Sequence, residues 1–296
     1  MPAWIALSLF AALLLGLYEL SKKHAVRGNA VLPVLFFSNL TAASIWVSLL
    51  FLQPVLPLFL QVEVPDLTGH LFLAGKAILV GTSWIFAYFA VKHLPVSIVG
   101  PIRSTAPLWT LVGALVLFAE TPAPLQWVGI CLTLGSFIAF SLAGRREGIH
   151  FRSNKWVAFI ILATLMGGAS SLYDRFLLTD AGLSPATVQA GFSFYLVAFF
   201  APFALGWKLR LWKRDTFTWR WSIPAIGLGL LATDFAYFTA LSSPEAMVAI
   251  VSSIRRASVL VVFAGGYLLY KEGNMRAKLP PTLGILLGVT LLVLGS

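Results

Sequence analysis

Residues 101–120 read PIRSTAPLWTLVGALVLFAE, and residues 253–272 read SIRRASVLVVFAGGYLLYKE. Each stretch is an apolar run that opens on an Ile-Arg pair and closes on a glutamate. The glutamate follows the arginine by the same 17 residues in both, Arg103 to Glu120 and Arg255 to Glu272. The two glutamates are 152 residues apart, and that offset also relates Trp4 to Trp156, Gly16 to Gly168 and Lys23 to Arg175. Upstream, Phe86-Ala87-Tyr88-Phe89 recurs as Phe235-Ala236-Tyr237-Phe238, with a three-residue length difference taken up in the following turn. Four matches at one spacing point to a duplicated chain.

The rest of the sequence is equally apolar. Of 296 residues, 59% are hydrophobic types and 11% are charged, against about a quarter charged in soluble proteins. Mean hydropathy is +0.89. A chain so poor in charge cannot cover a water-facing surface, which argues against a soluble domain, a disordered chain and a nucleic-acid binder, despite a net charge of +10. The single cysteine, Cys131, leaves no disulfide framework and no cysteine metal site.

A helix that crosses a bilayer needs roughly 20 mostly apolar residues. Residues 1–18 carry no Asp, Glu, Lys or Arg, and their charges follow rather than precede them, so they read as a first span and not as a cleavable leader. Apolar stretches then predict ten spans, at 3–21, 31–52, 72–92, 96–118, 123–143, 156–178, 184–207, 222–241, 245–270 and 279–295. The expected fold is an all-α integral membrane protein. Its first five-helix unit covers 1–144, a linker 145–155, and the second unit 156–296.

Basic residues sort to one side of such a chain. Lys22, Lys23 and Arg27 follow span one, Lys92 span three, Arg145, Arg146, Arg152 and Lys155 span five. Lys208 to Arg220 follow span seven, and Lys271 to Lys278 span nine. The opposite connections carry Glu63, Asp66, Glu120, Asp180 and Glu245. By the positive-inside rule the basic loops are cytoplasmic and both termini lie outside, in a cell (inner) membrane. A five-span unit necessarily inserts its second copy upside down. Inverted repeats are the pattern of alternating-access carriers, with the site at the interface of the two copies.

Charge inside a span costs at least ~2.5–3.5 kcal/mol on insertion scales, so it needs a reason. Arg103, Arg255 and Arg256 are the candidate substrate-binding residues, because guanidinium forks grip carboxylate or phosphate. Adjacent residues on a helix point about 100° apart, so Arg255 and Arg256 are not expected to face one ligand together. Glu19, Asp174 and Asp234 are candidates for ion pairing with these arginines or for proton coupling. Trp84, Tyr88, Tyr173 and Tyr237 supply rings that stack or hydrogen-bond with a substrate, or simply pack helices. Asn39 and Gln189, in corresponding second and seventh spans, are candidate gate residues, with interhelical bonding as the plainer role. Glu120 and Glu272 are expected to be helix-end residues beside turns.

The duplicated stretches ending at Glu120 and Glu272, each followed by a glycine-containing final span (Gly129, Gly135; Gly284, Gly288), resemble those of the drug/metabolite transporter superfamily, specifically ten-span proteins with two EamA-like domains. The resemblance implies secondary transport of a small metabolite, no cofactor, and a central cavity lined mainly by spans one, three, four, six, eight and nine. Arg103 and the Arg255-Arg256 pair also resemble the basic residues with which plastid phosphate translocators hold phosphate on the fourth and ninth helices. The expected partners are a small-molecule substrate, anionic in class by this resemblance, the lipid bilayer, and a proton or exchanged metabolite as coupling species, with no nucleic acid. A broad-specificity amino-acid or drug exporter is the alternative. An intramembrane enzyme fits poorly: His24, His70, His93 and His150 all fall in loops or at span ends, and no Gly-x-Gly-Asp precedes Asp234.

Overall fold

The computed structural model describes residues 2–94, 102–103, 105–142, 154–211, 216–258, 260–262, 264–265 and 275–295. Pro101, Glu272 and the linker from 145 to 153 lie outside the described residues. The described chain is all-helical and contains no strand: α1 (Ala3–Val26), α2 (Val31–Leu52), α3 (Leu67–His93), α4 (Ala106–Leu117), α5 (Pro124–Leu142), α6 (Lys155–Thr179), α7 (Pro185–Lys208), α8 (Ser222–Leu241), α9 (Val248–Arg255) and α10 (Met275–Leu294). Helices satisfy every backbone donor within one segment, which is the requirement hydrocarbon imposes. Among the described residues, six stretches are long and apolar enough to cross a bilayer: Ala3–Val26, Val31–Val55, Leu67–Ala90, Lys155–Thr179, Pro185–Lys208 and Ser222–Leu241. Ala106–Leu117 and Leu279–Leu294 are apolar but shorter. Large apolar side chains such as Phe10, Leu13, Leu17, Ile161 and Leu162 face outward, as lipid solvation allows.

Local chemistry sets the helix ends. Asp66 accepts the Gly69 N–H at 2.7 Å at the start of α3, and the Ser184 hydroxyl accepts the Thr187 N–H at 3.2 Å at the start of α7. After α1 and α6 the chain reverses through Gly28 (φ +63°) and Gly182 (φ +65°), a backbone region that glycine enters without a Cβ penalty.

Three boundaries differ from the sequence expectation, and each moves a charge. Helix α1 runs on to Val26, so Lys22 lies inside a helix and not in the loop after it. Helix α3 starts at Leu67, which draws Lys76 well into the helix. The ninth span is not one continuous helix: α9 stops at Arg255, the chain turns at Arg256 and Ala257, and helical backbone returns at Ser258. Arg103 sits at a matching interruption, where Ile102 and Arg103 are helical, Thr105 turns, and α4 begins at Ala106. Pro107 occupies the first turn of α4, where its missing N–H leaves no helical bond unmade.

The packing has an internal correspondence. Helix α1 runs against α8 as α6 runs against α3, and α3 meets α7 as α8 meets α2. Helix α4 meets α6 as α9 meets α1, while α2 with α7, α5 with α10 and α4 with α9 form self-matched pairs. Exchanging each helix for the one five places along leaves these principal contacts unchanged. Glycines repeat the rule in detail. Gly16 backs onto Val261 and the Ser258 carbonyl, and Gly168 onto Trp109 and the Ala106 carbonyl. Gly113 backs onto Leu172, and Gly265 onto Leu20. Both sets of partners are related by the 152-residue offset. Between α5 and α10, Gly129 lies against the Gly288 carbonyl, Gly288 against Thr133 and Gly284 against Ser136, so two backbones approach with almost no side chain between them.

Candidate functional site

Two groups of charged side chains lie inside the bundle, at matching places in the two halves of the chain. The first joins Tyr18, Glu19 and Lys22 of α1 with Tyr88 of α3, Arg103 ahead of α4 and Arg256 at the end of α9. Lys22 donates to Glu19 at 2.5 Å and stands over the rings of Tyr18 and Tyr88, at 5.0 and 5.6 Å from their centroids. Arg103 and Arg256 are close enough for Glu19 to feel both charges. Neither forms an ion pair with a described carboxylate, and the Nε of Arg256 is buried without a hydrogen-bond partner. Among the described residues, three cations share one carboxylate here.

The second group is balanced. Lys76 of α3 pairs with Asp174 of α6 and is 1% exposed. Arg255 donates from Nη2 to Asp234 of α8 at 2.7 Å, and its guanidinium lies 4.2 Å from the centre of the Tyr237 ring. Asp174 and Asp234 are within electrostatic reach of each other, so the four groups act as one set of two cations and two anions. A lone buried ion costs several kcal/mol, and this alternation is how four of them are accommodated.

One difference between the groups is a reversal of charge at a matched position. Tyr88 and Tyr237 occupy the repeated Phe-Ala-Tyr-Phe, and Arg103 and Arg255 the repeated Ile-Arg. Lys22 and Asp174 are also 152 residues apart, so one half carries an ammonium where the other carries a carboxylate. The junction is Arg255-Arg256: the first side chain serves the balanced group and the second reaches the cationic one. The turn at the end of α9 separates their directions.

A third set of contacts holds α9 in place. Glu120, in the turn between α4 and α5, accepts the Val248 N–H at 2.6 Å and the Ala249 N–H at 3.1 Å. Arg175 donates to the Leu241 and Ser243 carbonyls at 2.8 and 3.2 Å, fixing the end of α8. Burial pushes the Glu120 carboxyl above the ordinary carboxylate range, against the opposing pull of the two N–H groups and the Arg175 charge.

The remaining candidates lie elsewhere. Trp84 stacks on Phe200, with ring centroids 6.4 Å apart, and its edge meets Phe192. Tyr173 donates to the Phe72 carbonyl at 3.1 Å, linking α6 to α3. The Gln189 amide donates across to the Leu231 carbonyl of α8 at 2.6 Å, and Asn39 to the Leu35 carbonyl of its own helix at 2.7 Å. Both amide oxygens are buried without partners. Sequence reading passed over Lys76 and treated Lys22 as a loop residue. The signal for Lys76 was available, since it is a lone charge in an apolar run, as Arg103 is. An open apolar depression on α5, lined by Trp127, Val128, Cys131 and Leu132, shares no residue with either charged group.

Comparison with known proteins places this geometry. Residues 2–142 match the EamA-like transporter family. The match covers just under half of the chain. Together with six described helices long and apolar enough to cross a bilayer, this similarity to a transporter family supports a multi-pass membrane protein. A solved structure titled only as a crystal structure of a protein aligns over 98% of this chain and 97% of its own length, with a TM-score of 0.75 at 15% identity. That similarity is one of fold. A search of curated proteins finds no match. Each charged group draws residues both from the matched stretch and from the rest of the chain.

Proposed function

We propose that this protein is a secondary active transporter that moves a small anionic metabolite by alternating access. The observation that carries the reading is the excess positive charge of the group formed by Glu19, Lys22, Arg103 and Arg256. A buried cation without a counter-ion is stabilised by any anion that enters, and the unpartnered Nε of Arg256 offers it a donor. Arg103 and Arg256 hold the substrate anion, with Tyr18, Tyr88 and Trp84 beside it. Arg255 is committed to Asp234 in this conformation and adds its charge only when that pair opens. Tyr173 and Tyr237 belong to the balanced group.

The mechanism rests on ten spans arranged as two inverted five-helix repeats, over 1–144 and 156–296. It is supported by the contacts preserved on exchanging helices five places apart and by the matched glycine contacts. The interruptions at Arg103 and at Arg256 give each half a broken helix beside a charged group, an arrangement that carriers use near the midplane. In this scheme the basic loops are cytoplasmic, both termini lie outside, Asn39 and Gln189 line the gate helices, and a proton or exchanged metabolite drives the cycle through Glu19, Asp174 or Asp234.

The test is transport by purified protein in liposomes, with labelled anionic, zwitterionic and cationic metabolites. Removing a charge-assisted hydrogen bond of ~1.5–3 kcal/mol predicts a loss of roughly 10- to 100-fold in apparent affinity for anions in Arg256→Ala and Arg103→Ala. Unchanged anion transport in both variants, each monodisperse, rejects the anion site.

A further inference from the structure

The ammonium of Lys76 is held by three groups from three other helices. Asp174 of α6 takes its charge, and the rings of Phe192 (α7) and Phe238 (α8) lie 4.5 and 4.1 Å from it, centre to nitrogen. A carboxylate with two aromatic faces is the chemistry that selects an organic ammonium, because the ring quadrupoles attract the cation while the apolar walls accept its carbon chain. All three walls belong to the chain between 155 and 241, whereas the lysine arrives from α3. The box and its occupant are therefore separate parts of the molecule. Tyr237 and the Asp234–Arg255 pair border the box without supplying a cation to Asp174 at ion-pair distance, so Lys76 is its direct counter-ion among the described residues.

We infer that Asp174, Phe192 and Phe238 form a ligand subsite for primary ammonium groups, filled in this conformation by the tethered ammonium of Lys76. Motion of α3 away from α6 to α8 withdraws the lysine and leaves the box free for an amine with an apolar tail. The inference does not depend on the anion reading, because it uses none of Glu19, Lys22, Arg103 or Arg256.

Lys76→Ala deletes three methylenes and the ammonium, which together equal n-propylammonium. The experiment is a thermal melt of purified Lys76→Ala in detergent, titrated with propylammonium, with 1-propanol as the neutral isostere. Propylammonium is expected to raise the melting temperature saturably by at least ~2 °C, while propanol does not. Wild type, whose box is filled, is expected not to respond, and Lys76→Ala/Asp174→Asn is expected to lose the response. The response should survive in Lys76→Ala/Arg256→Ala, which separates this subsite from the anion site. No response, or an equal response to propanol, overturns the inference. If Lys76→Ala does not survive extraction, recovery of monodisperse protein in propylammonium buffer but not in propanol is the same readout, and failure of both overturns it. Lys76→Met, which fills the box with an apolar chain, should fold and ignore propylammonium; a response there equal to that of Lys76→Ala also counts against the box.

Discussion

Replacing Asp234 by leucine strands the Arg255 guanidinium in the bundle. The two side chains are 10% and 17% exposed and 2.7 Å apart, so solvent screens the pair little. Breaking such a buried pair from one side costs about 3–5 kcal/mol, because the remaining charge has lost its partner. The face of Tyr237, 4.2 Å away, still holds the cation, and Asp174 still adds a longer-range attraction. The expected loss is therefore at the lower end, about 3 kcal/mol. Exchanging both partners, as Asp234→Leu/Arg255→Met, removes the stranded charge and should return stability to within ~1 kcal/mol of the parent, since well-packed apolar replacements of buried ion pairs are close to neutral. The assay is a double-mutant cycle on the four purified proteins, followed by thermal and denaturant melts in one detergent. Coupling of at least ~2 kcal/mol is expected for groups in direct contact. Additive effects, or a cost below ~1 kcal/mol for Asp234→Leu alone, would refute the claim that this pair is what makes Arg255 tolerable.

Other outcomes follow from the same coordinates. Gly288→Val should prevent α5 and α10 from closing, since a Cβ there would lie 2.8 Å from the Thr133 nitrogen and 3.0 Å from the Gly129 carbonyl, whereas Gly135→Val meets nothing within 4 Å. The first should lose several kcal/mol and the second less than about 1, read as the difference in melting temperature. Because burial raises the Glu120 carboxyl, the native state holds its proton more tightly than the unfolded chain does. Stability from this group is therefore full below the ordinary glutamate value of 4.5 and falls as pH rises through the raised one; a pH series of melts should show that slope in wild type and lose it in Glu120→Gln. Compartment reporters fused in the 145–153 linker and in the 242–247 turn should report opposite sides of the membrane, and a shared side would remove the inverted repeat.

The membrane character of this chain was legible from composition alone, because no arrangement of so few charges covers a soluble surface. The 152-residue offset is likewise visible in the sequence, and the contacts of Gly16 with Val261 and Gly168 with Trp109 repeat at the same spacing. What a linear pattern does not contain is the direction in which each side chain leaves its helix. In soluble proteins an apolar stripe gives that direction, but here lipid and core are both apolar and the stripe vanishes. Only the packing of α3 on α6 could pair Lys76 with Asp174, 98 residues away. Only the turn after α9 could give Arg255 to Asp234 while leaving Arg256 beside Glu19 and Arg103. The sequence by itself determined the apolar solvent of this protein and the repeated spacing of its matched residues. Tertiary structure decided which of its buried charges are neutralised, because Coulomb energy depends on distances that only the assembled helices set.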